Sequence, residues 1–176
     1  LSYKEIGHIL NKTDGSVKVL IYRARKALEK IIDKKAFSNI VVNEFLNKFE
    51  LSLEDRALFT NIVYGTMQNL LTIDYYLEPY ISHKKQKNWV KCLLYISVYQ
   101  LVYLDIPEYA VVNEAVSIAN IKDRAIGSFV NAVLRNLLRN PLRGLDGLDE
   151  IGTLSIKYSH PSWLVAYFLK DYDYET

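Results

Sequence analysis

The sequence predicts an all-α helical bundle, and three observations carry that prediction. Apolar residues recur at three- and four-residue spacing through most of the chain instead of alternating. Capping and breaking residues stand at the ends of these runs. Trp89–Leu104 is apolar nearly all round, as a buried central helix should be. The chain has 176 residues, of which 50% are apolar and 24% charged. That is enough for a sizeable core in one domain with a small appendage, and it reads as a soluble globular protein.

The elements follow in order. Leu1–Asn11 places Ile6, Ile9 and Leu10 on one face, with Ser2 and Glu5 spaced as a capping box. Lys12–Thr13 is a short turn. Asp14 opens a long helix with Val17, Leu20, Ile21, Ala24, Leu28, Ile31 and Ile32 at helical spacing. Ala36–Phe49 is expected to turn Phe37, Ile40, Val41, Phe45 and Phe49 toward the core. Ser52-Leu53-Glu54-Asp55 reads as a second capping-box start, continued by Leu58, Ile62, Met67 and Leu70. Leu71–Ile81 is short and closes near Pro79. Pro107 starts the helix after the central one, where its missing N–H is harmless. Val111–Asn140 is a pair of helices broken at Asn120–Asp123. In the second, Ile126, Phe129, Val130, Val133, Leu134, Leu137 and Leu138 form one wide apolar face, with Asp123 as cap and Pro141 beyond the last turn. Pro141–Gly152 is the only linker-like stretch, and Thr153–Tyr172 closes the chain.

Charge is unevenly spread. Residues 1–35 carry nine Lys/Arg against four Asp/Glu, while the rest carries thirteen against sixteen. A basic N-terminal part of this kind suits contact with nucleic acid. The helix after Asp123 adds a polar stripe of Arg124, Ser128, Asn131, Arg135 and Arg139 opposite its apolar face. Arg124, Arg135 and Arg139 are candidates for RNA phosphates, and Asn131 for a base or ribose edge. Lys84 and Lys85, with Lys87 and Lys91, could extend that surface, although a solvated loop is the simpler reading. Tyr95, Tyr99 and Tyr103 form an i, i+4, i+8 ladder better suited to core packing than to base stacking. Asn113, Glu114 and Asn131 read first as ties between facing helices.

Catalysis finds little support in these residues. His8, His83 and His160 lack metal-ligand spacing, and no phosphate loop or glycine-rich cofactor turn is present. The single cysteine, Cys92, excludes a disulfide framework and a cysteine-based zinc site, and fits a reducing, cytoplasmic compartment. No signal peptide is visible. No apolar run approaches the ~20 residues of a membrane span. The chain does not begin with Met and is read as a fragment or a fusion.

Two resemblances sharpen the reading. Val112-Asn113-Glu114-Ala115-Val116 and Phe129-Val130-Asn131-Ala132-Val133-Leu134-Arg135 resemble the signature helices of the NusB family of RNA-binding helical domains. Ala36-Phe37-Ser38-Asn39, Asp55-Arg56-Ala57-Leu58-Phe59, Val63-Tyr64-Gly65-Thr66, Leu71-Thr72-Ile73-Asp74-Tyr75-Tyr76-Leu77 and Tyr99-Gln100-Leu101-Val102-Tyr103-Leu104 follow in that order. So does Ser155-Ile156-Lys157-Tyr158-Ser159-His160-Pro161-Ser162-Trp163-Leu164. Together these blocks resemble the NusB-like N-terminal domain of bacterial 16S ribosomal RNA cytosine-C5 methyltransferases, over roughly Lys26 to Tyr172. That resemblance implies 16S ribosomal RNA as partner. It also implies an S-adenosylmethionine pocket and a cysteine pair in a catalytic domain that this chain does not reach. No cofactor and no catalytic residue are therefore expected here.

Leu1-Ser2-Tyr3-Lys4-Glu5-Ile6, Gly15-Ser16-Val17-Lys18 and Tyr22-Arg23-Ala24-Arg25-Lys26-Ala27-Leu28 resemble region 4 of sigma-70-type factors, especially the small extracytoplasmic-function group. That pattern is a helix-turn-helix. It would turn Ser16, Lys18, Tyr22 and Arg23 toward a DNA groove or its phosphates, with Arg25 and Lys26 as further phosphate candidates. Asn11 stands where that family commonly has Gly, and Leu20 where a basic residue is common. The supporting helices and region 2 are missing, so the segment is no working sigma factor by itself. The expected organisation is a helix-turn-helix arm over residues 1–33, a NusB-like bundle over 34–140, and a linker with methyltransferase lead-in over 141–176. The leading reading is ribosomal RNA recognition for a methyltransferase. The alternatives are a DNA-binding transcription regulator and an antitermination or protein-interaction module.

Overall fold

The computed structural model describes residues 14–81 and 85–171. Among the described residues there are nine helices and no strand, so the all-α prediction is met. They are α1 (Asp14–Lys34), α2 (Ser38–Lys48), α3 (Leu53–Gln68), α4 (Leu70–Ile81), α5 (Asn88–Tyr103), α6 (Glu108–Asn120), α7 (Arg124–Arg139), α8 (Glu150–Tyr158) and α9 (Ser162–Asp171). The expected helix over Leu1–Asn11 and the turn after it lie outside the described residues.

The central helix is α5. Every residue from Cys92 to Gln100 is buried, because α1, α3, α4, α6 and α7 all pack against it. Its two interior polar side chains turn back on the helix: Ser97 Oγ donates to the Leu93 carbonyl at 2.8 Å and Gln100 Nε2 to that of Ile96 at 3.1 Å. Neither is left as an unsatisfied group in the core. The tyrosine ladder is core-facing at two of three rungs. Tyr95 and Tyr99 are buried and donate to Asp74 and Asn61, at 2.6 and 2.7 Å. Tyr103, at the end of α5, is 41% exposed and stacks on Tyr99.

α1 crosses residue 33 without a break. Its apolar stripe (Val17, Leu20, Ile21, Ala24, Ala27, Leu28 and Ile31) is buried against α2, α3, α5 and α6. The helix is thus a full member of the bundle. α2 departs from expectation. Phe37 and Ile40 are 76% and 59% exposed, whereas Val41 and Val42 are buried. Two overlapping stripes share Val41 and Phe45 in this segment. The one through Val42 and Phe49 faces the bundle, and Phe37 precedes the helix in extended conformation as its cap residue. α3 begins as predicted, with Ser52 Oγ accepting from the Asp55 N–H. Pro107 is the cap of α6 and not its first residue. Asn113 and Asn131 are both exposed, so neither ties α6 to α7 as expected.

Candidate nucleic-acid interface

Among the described helices, α7 carries the most sharply divided faces. Gly127, Val130, Val133, Leu134 and Leu137 are buried against α4, α5 and α6. Asp123 caps the helix by accepting from the Ala125 N–H at 2.8 Å. The outer face then presents Arg124, Ser128, Asn131, Arg135 and Arg139, all exposed. At the ordinary helical rise this stripe runs about 22 Å. α7 contains no Asp or Glu, so the three guanidinium groups meet no carboxylate along the helix itself. Arg139, in the last turn, complements the helix dipole. Arg124, in the first turn, opposes it, so helix stability does not account for its position.

The structure adds a neighbour that the reading of the sequence missed. Lys122, exposed in the turn before α7, carries a charge that is felt at the phenol of Tyr22 on α1. Lys26, hydrogen-bonded to that hydroxyl, holds the phenol below its ordinary range, and the charges of Arg25 and Lys122 act in the same direction against partial burial. Lys18, on the same side of α1, donates to Ser117 Oγ of α6. Lys18 and Lys26 thus flank Tyr22 along α1, Lys18 reaching α6 and Lys26 lying 4.9 Å from the Tyr22 ring centre, with the charge of Lys122 adding to theirs at the phenol. Lys122 stands two residues before Arg124, which was the available signal. Its effect on Tyr22, a hundred residues away, required the fold.

The remaining candidates separate. Arg25 is 3% exposed and does not face a groove. Its Nη1 pairs with Glu29 at 2.8 Å, and its guanidinium lies over the rings of Tyr22 and Trp89. Arg23 stacks on Phe49 at 3.8 Å. Tyr22 is half-buried against the core. The side chain of Ser16, and Lys84 with it, lie outside what is described. Lys85 is exposed in a cleft of about 520 Å³ lined also by Asp74, Glu78 and Lys91. No α7 residue lines that cleft, so Lys85 is not joined to the arginine stripe there.

No group of His, Cys, Asp and Glu able to hold a metal ion is found among the described residues. No helix among them is long and apolar enough to cross a membrane. Cys92 is 1% exposed, and burial pushes its thiol up to about 12. It does not fit an attacking cysteine, which must be accessible and readily ionised.

Comparison with known proteins agrees with this architecture. Residues 20–139 match the NusB family. Among curated proteins, the chain is 41% identical over 156 residues to a probable ribosomal RNA small subunit methyltransferase B of Bacillus subtilis, covering 86% of this chain and 35% of that protein. It is 31% identical over 146 residues to the protein of that name from Synechocystis sp., covering 80% and 33%. The chain thus spans about a third of the length of these relatives. A match over 86% of the chain is longer than residues 1–139 could supply, so it runs on past α7. Among solved structures, Thermotoga maritima NusB superposes with a TM-score of 0.63 at 19% identity, over 72% of this chain and 92% of that one. A chain in a crystal structure of a plectonemic RNA supercoil superposes with a TM-score of 0.64 at 18% identity, over 69% and 93%. The match over residues 20–139, the helical architecture and these superpositions agree, and the chain belongs to the NusB family.

Proposed function

We propose that this chain is an RNA-binding domain that positions 16S ribosomal RNA for a cytosine-C5 methyltransferase. The observation that carries the reading is the outer face of α7. It has three exposed arginines with a serine and an asparagine between them, no acid in the helix, and one arginine placed against the helix dipole. Lys122, Lys18 and Lys26 continue positive charge around the edge of α1. Arginine guanidinium groups suit phosphate oxygens, and amide and hydroxyl side chains suit ribose and base edges. The names of the Bacillus and Synechocystis relatives supply the substrate class.

Under this reading, residues 20–139 are the RNA-docking bundle and the C-terminal helices lead toward a catalytic portion. The chemistry of methyl transfer, with S-adenosylmethionine as donor, belongs to the part of the longer relatives that this chain does not match. The residues present here dock and orient RNA. The test is fluorescence anisotropy with a labelled 16S RNA fragment. Replacing Arg124, Arg135 and Arg139 together by Ala is expected to weaken binding by an order of magnitude or more with helicity unchanged. Unchanged affinity in a folded variant would remove the reading.

A further inference from the structure

The chain continues past the family match as a clasped helical hairpin. α8 and α9 pack on each other, and α8 packs on α4. Ser159 caps α8 in the left-handed conformation, with φ 55°, and its Oγ accepts from the Leu71 N–H at 3.0 Å. Thr72 Oγ1 donates to the Ile156 carbonyl at 2.5 Å. The connecting segment is tied as well. Tyr75 donates to the Gly144 carbonyl at 2.7 Å, and Arg143 lies over the Tyr75 ring at 4.0 Å and pairs with Glu78. Pro79 has no N–H to give the Tyr75 carbonyl one turn earlier. Arg143 Nη1 approaches that carbonyl at 3.5 Å. The linker expected after Pro141 is therefore held against the bundle.

The hairpin turns large aromatic side chains outward. α9 buries Val165 but leaves Trp163 71%, Tyr167 59% and Phe168 48% exposed. Trp163 and Tyr167 stand four residues apart on one face, and Tyr167 meets Phe168 edge-on at 6.0 Å. Large aromatic side chains left exposed together on one short helix are the kind of surface that interaction sites use. Two observations indicate what covers it. The similarity to the methyltransferases extends past α7, whereas the NusB match ends there. Those relatives also carry about two-thirds of their length outside the match. We infer that the Trp163–Tyr167–Phe168 face is the seat of the catalytic portion of the longer polypeptide. The clasp on α4, which also packs on α7, holds that portion at a fixed attitude to the arginine stripe. This rests on the reading of the chain as part of a methyltransferase.

The test joins this chain to the remaining two-thirds of the Bacillus subtilis relative, in place of the matched region, giving a full-length protein. Hydroxyl-radical footprinting of Trp163, Tyr167 and Phe168 is compared with the isolated chain, alongside calorimetry and RNA binding. Oxidation of the three residues is expected to fall several-fold on joining. The joined protein should unfold in one transition, and Trp163→Ser with Tyr167→Ser should split that transition in two. Unchanged oxidation, or a double variant as cooperative as the parent, would overturn the inference. Protection of the same residues in a dimer of the isolated chain would also overturn it, in favour of a second copy. Loss of RNA binding with protection intact would count against the proposed function and leave the docking face standing.

Discussion

A Cβ added at Gly65 would lie 2.1 Å from both Cζ and the hydroxyl of Tyr99. That ring is buried, stacked on Tyr103 and hydrogen-bonded to Asn61, so it has nowhere to go. Gly65→Ala should cost about 1–3 kcal/mol by overpacking the contact between α3 and α5. A Cβ at Gly127 would meet Asn120 Oδ1 at 1.9 Å, but Asn120 is exposed and its amide can swing into water. Gly127→Ala should be near neutral, the small gain in helix propensity offsetting the adjustment. Urea denaturation of the two variants distinguishes these outcomes, and equal losses would show the α6–α7 contact to be stiffer than argued. Cys92 gives a pH prediction. Its thiol ionises near 9 when free and is pushed up to about 12 by burial, with Glu29 and Asp33 adding to the effect. Below pH 9 both folded and unfolded chains keep the proton. Above it the unfolded chain loses the proton first, so this residue should erode stability by about 1.4 kcal/mol per pH unit until the folded thiol titrates. Denaturation between pH 8 and 11 should therefore be shallower in Cys92→Ala than in the parent. Arg25 was not legible at this scale, because arginine ordinarily lies at the surface. Only the aromatic faces of Tyr22 and Trp89, the latter on another helix, together with Glu29 accommodate it inside.

At the scale of elements, legibility followed how completely each helix is bounded and how many neighbours it has. α7 was read from Asp123 to before Pro141 and is found over Arg124–Arg139, because its cap, apolar face and stop agree. α5 was read as central because it is apolar on all sides, and five helices surround it. α2 was misread because, among the described helices, it packs mainly on α1 and α3 and needs only a narrow stripe, while its sequence offers two. Periodicity gives no means of choosing between them. The cap of α7 is also a testable element. Asp123→Ala should cost about 1 kcal/mol and speed hydrogen exchange at Ala125, whose N–H it holds. An unchanged exchange rate would show that α7 is held by its packing alone.

For the whole molecule, the difficulty lay in two resemblances that share one helix. A basic amphipathic helix after a turn looks alike whether it reads DNA or begins a bundle. Burial of Val17, Leu20, Ile21, Ala24 and Leu28 commits α1 to the bundle. The bond from Lys18 to Ser117, and the clasp of the C-terminal hairpin on α4, join residues far apart in the chain. Such long-range placements have no local signature. The most direct measurement is a salt series of binding to a 16S RNA fragment and to promoter-length duplex DNA, side by side. RNA should bind more tightly, and for single-stranded RNA the log–log salt slope should become shallower by about 0.7 for each of Arg135 and Arg139 removed. Arg25→Met should leave that slope unchanged, because the guanidinium is buried. Tighter binding to DNA, dependent on Lys18 and Arg23 and indifferent to Arg135 and Arg139, would contradict the account.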